Sequence, residues 1–149
     1  VLLVITDGED NGSRYTIEEV VKYLQRGNSL LYSIGLLGEN EAGGLFKVRG
    51  AGPKRARKVL EQLAEVSGGE AYFPKSLEEV ESICVQIARD IRNQYTLAYY
   101  PTNAKKDGTF RAVRVEAKPA RGSERLTVRA RPGYYAPRSA PEVAAPSGK

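Results

Sequence analysis

Val1-Leu2-Leu3-Val4-Ile5 is an unbroken apolar run that breaks at Thr6-Asp7-Gly8-Glu9-Asp10-Asn11. Such a run predicts a parallel-sheet strand covered on both faces, with its chemistry at the carboxyl end. Thr16-Ile17-Glu18-Glu19 then has capping-box spacing, and Ile17, Val20, Val21 and Leu24 form one helical face that Gly27-Asn28 stops. Ser29 to Leu37 reads as a second strand buried on both faces, and residues 38–53 read as a Gly-rich surface connection closed by Pro53. That loop has neither dinucleotide nor P-loop spacing, so it is not a phosphate cradle. A helix is expected from about Lys54 to Val66, with Ala56, Val59, Leu60, Leu63 and Val66 inward and Gly68-Gly69 as its stop. Ala71-Tyr72-Phe73 makes a short strand before Pro74. Ser76-Leu77-Glu78-Glu79 is a second capping box, opening a helix with Leu77, Val80, Ile83, Cys84, Ile87, Ala88 and Ile91 at steps of three and four.

Through Asn93 the order is strand–helix–strand–helix–strand–helix, which argues for a parallel sheet with covering helices. Right-handed crossovers gather the strand C-termini on one edge, and Asp7 lies on it. The pattern then changes. Tyr95 to Pro101 reads as a strand, Asp107-Gly108 as a turn, and residues 109–118 alternate Val113, Val115 and Ala117 with Arg114, Glu116 and Lys118. After a Gly122-Ser123 turn, Leu126, Val128 and Ala130 alternate with Thr127, Arg129 and Arg131. Three antiparallel strands with one apolar face are expected. The fold class is therefore α/β, with a parallel-sheet unit over 1–93, a small antiparallel β extension over 94–136, and a Pro/Ala/Ser/Gly-rich tail over 137–149 expected to be disordered.

Charge and composition narrow the chemistry. The net charge of +5 is uneven: residues 1–53 carry 5 basic and 7 acidic side chains, 54–93 carry 7 and 7, and 94–149 carry 11 and 4. The basic surplus lies away from the Asp-rich corner, on arginines that alternate at strand period, so it reads as a solvated face and not as a nucleic-acid surface. His is absent and Cys84 is the lone cysteine, which excludes a His base, a Cys/His zinc site and an intrachain disulfide. Cys84, beside Ile83, is expected to be a buried structural thiol. No apolar run approaches the roughly 20 residues of a membrane span. An apolar first strand wants neighbours on both sides, so the chain is read as the C-terminal part of a larger protein.

"VLLVITDGEDN" before a helix, then "LLYSIGL", then "LEQLAEVSGGEAYF" resemble the second half of a von Willebrand factor A-type (VWFA) domain. "IRNQYTLAYYPTN", "GTFRAVRVEAK" and "LTVRARPGYYAP" resemble the β extension of a bacterial VWFA-related subgroup known from Acidobacteria. The resemblance spans roughly residues 1–136 and implies a Rossmann-like sheet whose N-terminal strands and first metal loop are absent from this chain. It implies a metal-ion-dependent adhesion site at the carboxyl edge. The Asp of the family's Thr-Asp-Gly corner matches at Asp7, whereas the family's Asp-x-Ser-x-Ser loop and a further Thr have no match. Mg²⁺, or Mn²⁺ or Ca²⁺, is thus implied for the complete domain, with none expected to be held by this fragment. The partner implied is a protein offering a carboxylate to the ion, and the location a secreted, periplasmic or cell-envelope one.

A carboxylate at a strand end, followed by a tightly turning Gly, suits a hard divalent cation that wants oxygen ligands. The competing reading of Asp7 is a turn-shaping or helix-capping side chain. Glu9 and Asp10 read as a solvated acidic loop. The pairs Tyr99-Tyr100 and Tyr134-Tyr135 read as packing of the extension in preference to a contact surface. No catalytic residue and no organic cofactor site is identified. The expected function is a non-enzymatic, metal-dependent protein-binding module. The alternatives are a fragment of a haloacid dehalogenase-like phosphatase, which needs a nucleophilic Asp-x-Asp upstream, or a metal-free structural interaction module.

Overall fold

The computed structural model describes residues 1–8, 12–27, 29–37, 52–120 and 126–138. Glu9, Asp10, most of the Gly-rich loop, the Gly122-Ser123 turn and the tail from residue 139 lie outside them. The elements are β1 (Leu2–Thr6), α1 (Ile17–Arg26), β2 (Leu31–Gly35), α2 (Gly52–Ser67), β3 (Ala71–Tyr72), α3 (Leu77–Arg92), β4 (Phe110–Ala112) and β5 (Gly133–Tyr135). The chain is mixed α/β: a parallel sheet in the order β1-β2-β3 and an antiparallel pair, β4-β5.

β2 is the centre of the sheet because all five of its residues are buried. Tyr32 and Ile34 point to one face, where they cluster with Ile87 and Ile83 of α3 and with Leu30, Leu36 and Tyr72. Leu31, Ser33 and Gly35 point to the other, under α2. There Leu60 Cδ1 and the Phe73 ring come so close that a Cβ on Gly35 would meet them at 3.0 and 2.8 Å. Two covered faces explain the unbroken apolar run. A buried serine in α2 ties the layers: Ser67 Oγ accepts from Leu31 N at 2.9 Å and donates to Ala64 O at 2.8 Å.

The caps follow local chemistry. Thr16 and Glu19 form the full capping box at the start of α1. At α3 only half of it forms: Ser76 Oγ accepts from Glu79 N, while the Glu79 carboxylate takes the Lys75 N–H. α2 starts two residues earlier than its periodicity indicates. Pro53 lies in its first turn, where a missing N–H costs nothing. Gly68, at φ +83, ends the helix, as a left-handed residue does.

Four sequence expectations need correction. β1 pairs with β2 alone among the described residues, and Leu2, Leu3 and Ile5 are 48%, 44% and 56% exposed, so it is an edge strand and is not covered on both faces. Cys84 is exposed, because the stripe of α3 that meets the sheet is Ile83 and Ile87 while Cys84 falls on the shoulder with exposed Leu77. Tyr95 to Pro101 forms no strand: Tyr95 and Tyr100 stand fully out in solvent, and strand propensity is realised only against a partner. The expected strand at 109–118 shrinks to Phe110–Ala112, the expected strand at 126–131 does not form, and β4 pairs with Gly133–Tyr135. Phe110 stacks edge-on against Tyr135 at 5.3 Å there, a contact the 126–131 register would not supply.

Candidate metal corner at the carboxyl edge of the sheet

Asp7 follows β1 at the carboxyl end of the parallel sheet, with its side chain exposed. The corner beneath it is rigid for reasons visible in its neighbours. Leu36 N donates to Thr6 O at 2.8 Å, fixing the end of β1 to the end of β2. Gly8 N donates to Thr6 Oγ1 at 3.0 Å, a side-chain turn of the kind short hydroxyl residues favour. Gly8 sits at φ +80, and a Cβ on it would lie 2.5 Å from Ala56 Cβ and 2.7 Å from Leu37 Cδ2. Left-handed backbone and absence of a side chain are thus both required at Gly8.

The same edge collects the other strand ends. Leu37 after β2 is buried, and Phe73 after β3 carries the Arg57 guanidinium 4.2 Å above its ring. The N-terminal half of α2 packs over this corner and carries Lys54, Arg55, Arg57 and Lys58, with no acidic residue in its first turn. Its charge is therefore cationic, on the side of the helix dipole that favours anions.

As a cation site the corner offers one carboxylate. Thr6 Oγ1 already accepts from Gly8 N, and the described residues contain no group of three or more acidic or sulfur ligands placed to hold a metal. The residues described do not by themselves fit a divalent cation, which needs six or more oxygens with several from the protein or from water. Glu9 and Asp10 lie outside the described residues.

The remaining candidates are dispersed. Tyr134 and Tyr135 are half-buried in the extension and Tyr99 hydrogen-bonds Tyr134, whereas Tyr100 stands out in solvent, so packing of the extension accounts for three of the four. Sequence reading did not single out Arg57, or the cluster in which Arg129 bridges Glu70 and Asp90 at 2.7 Å each. Both rest on long-range neighbours, and an arginine at strand period carries no signal of which carboxylate it will meet. In that cluster the Tyr72 hydroxyl donates to Glu70, and its pKa is raised above 10, first by burial and then by that carboxylate. Burial, then the nearby Asp90, raises Tyr32 likewise.

No family model, curated protein or solved structure matches the chain. No helix among the described residues is long and apolar enough to cross a membrane.

Proposed function

We propose that the chain is the C-terminal part of a VWFA-type protein-binding module, with a Rossmann-like sheet and no catalytic activity, in which Asp7 is one ligand of a divalent cation. The observation that carries this reading is the position of Asp7: a carboxylate at the carboxyl end of a parallel strand, held by a glycine corner that admits no side chain. Ligand sites in open α/β sheets belong at this edge. A bound Mg²⁺, Mn²⁺ or Ca²⁺ would supply an electrophilic centre for a carboxylate of a partner protein.

The state of β1 supports the second half of the proposal. Leu2 N donates to Leu30 O, and Thr6 O accepts from Leu36 N, so Leu2, Val4 and Thr6 turn their peptide groups toward β2. Leu3 and Ile5 then direct theirs to the edge that no described strand covers, with apolar side chains that remain about half exposed. Such an edge takes a further apolar strand, and a strand added there ends beside Asp7. In the proposed reading, that strand would carry the serine-bearing acidic loop the resemblance implies. The function belongs to an envelope or secreted setting, as the resemblance implies.

The test is calorimetric. A longer protein that includes the residues encoded ahead of Val1 should bind Mg²⁺ or Mn²⁺, and Asp7→Ala should abolish that binding and the metal-dependent capture of a partner while far-UV circular dichroism stays unchanged. The 149-residue chain alone should bind the ion weakly or not at all. Unchanged metal affinity in Asp7→Ala, or an upstream sequence without an Asp-x-Ser-x-Ser loop, would sink the reading.

A further inference from the structure

Away from Asp7, at the opposite end of the sheet, residues 129–135 touch the ends of several elements at once. The Arg129 guanidinium pairs with Glu70, which precedes β3, and with Asp90 in the last turns of α3. Arg131 Nη2 donates to the Gln25 carbonyl near the end of α1 at 2.8 Å. The Tyr135 hydroxyl lies 3.4 Å from Gln25 Oε1, and its ring lies under the Arg26 guanidinium at 5.4 Å. The Ala130–Arg131 backbone crosses Gly68 so closely that a Cβ there would meet Arg131 N at 2.7 Å.

The chemistry of these contacts differs from that inside either sheet. The ladder bonds of β5 go to β4, and apart from the close backbone approach at Gly68 the contacts just described between this stretch and the parallel unit are made by side chains. Leu126 and Val128, the apolar residues of the preceding stretch, are 52% and 38% exposed, so their apolar surface is only partly buried. Arg129 is therefore the main grip: one planar guanidinium engages two carboxylates on two elements, geometry a guanidinium suits better than an ammonium. Tyr72 completes it by donating to the same Glu70 carboxylate. The three partners are about one-third exposed, so the grip is open to screening by salt.

We propose that residues 126–131 form a releasable strap across this end of the sheet, with Arg129 as its ionic catch. Polar interfaces between structural units favour relative motion, and a strap whose polar grip is the Arg129 ion pairs and the Arg131 bond to the Gln25 carbonyl detaches without unmaking the apolar core at Ile34 and Ile87. The catch stands apart from the Asp7 corner and does not depend on the metal reading.

Cys84 is exposed on α3 and is the lone cysteine, so it takes one spin label directly, and Thr127→Cys in the exposed stretch takes the second. Double electron–electron resonance on the full chain should give one narrow distance distribution in dilute buffer. Arg129→Met, or molar salt, should broaden it, with the helical far-UV signal retained. Arg129→Glu should open the strap, and adding Glu70→Arg should restore the narrow distribution. A narrow distribution in Arg129→Met, or a broad one in the parent protein, overturns the proposal. So does loss of the helical signal on Arg129→Met, since the strap would then be inseparable from the core. Failure of the charge swap to restore the distance overturns the assignment of Arg129 as a catch.

Discussion

Replacing Gly8 with alanine tests the rigidity of the Asp7 corner through two separable costs. The backbone at φ +80 costs an L-residue about 1 kcal/mol. The new Cβ also meets Ala56 Cβ at 2.5 Å and Leu37 Cδ2 at 2.7 Å, and overpacking of this kind costs about 1–3 kcal/mol. Leu37 can yield by rotating its side chain, but Ala56 Cβ is fixed to the α2 backbone, so the second contact forces a backbone shift. Gly8→Ala should therefore lose about 2–4 kcal/mol, a large share of the ~5–15 kcal/mol that holds a domain together. Urea unfolding followed by circular dichroism reads this as a lower midpoint at unchanged slope. Ala56→Gly removes the rigid half of the clash at its own cost of about 1 kcal/mol in the helix. The double variant should thus be less destabilised than the sum of the singles by about 1–2 kcal/mol. Gly12→Ala is the control: no described residue beyond its chain neighbours comes within 4 Å of its Cβ position, and its stability should change by less than about 1 kcal/mol. A Gly8→Ala loss under about 0.5 kcal/mol, or strict additivity with Ala56→Gly, would refute the steric argument.

Two fully buried serines should respond in opposite directions. Ser67→Ala strands the buried Leu31 N–H and should cost about 1–3 kcal/mol, whereas Ser33 Oγ has no hydrogen-bond partner among the described residues and Ser33→Ala should be neutral or slightly stabilising. Equal losses in a thermal melt would contradict this reading. Asp107 is held down at about 2 from its ordinary 3.8, first by the Thr109 backbone N–H, then by the Thr109 hydroxyl and Arg111. A depressed folded-state pKa stabilises above the unfolded value, and that stabilisation is lost as pH falls from about 4 through about 2. Carboxyl NMR should find the Asp107 midpoint near 2, and Asp107→Asn should remove this part of the acid sensitivity; an ordinary midpoint would show that the turn does not hold the anion.

Much of the parallel half was legible because its signals are local. An apolar run bounded by polar corners, the Thr16–Glu19 capping box and the Gly68 stop each work within a few residues, and the structure places β2, α1 and α2 where those signals lie. The position of Asp7 at the carboxyl edge follows from strand–helix alternation and the handedness of crossovers. The extension was read poorly for the converse reason. The patterns in 95–101 and 126–131 mark residues able to form strands, but pairing depends on which backbone lies alongside, and Phe110–Ala112 is paired by Gly133–Tyr135, where no strand was expected.

What the sequence determined by itself is the set of helices and the parallel strands, the absence of histidine chemistry, and the carboxylate corner at the end of the first strand. Tertiary structure alone decided that β1 stands at an edge, that Cys84 faces solvent, that Gly8 must stay bare against Ala56, and that Arg129 joins Glu70 to Asp90. The division has one physical reason. Caps, turns and periodicity act over a few residues of chain, whereas burial, steric contact and ion pairing depend on groups that only folding brings within a few ångströms.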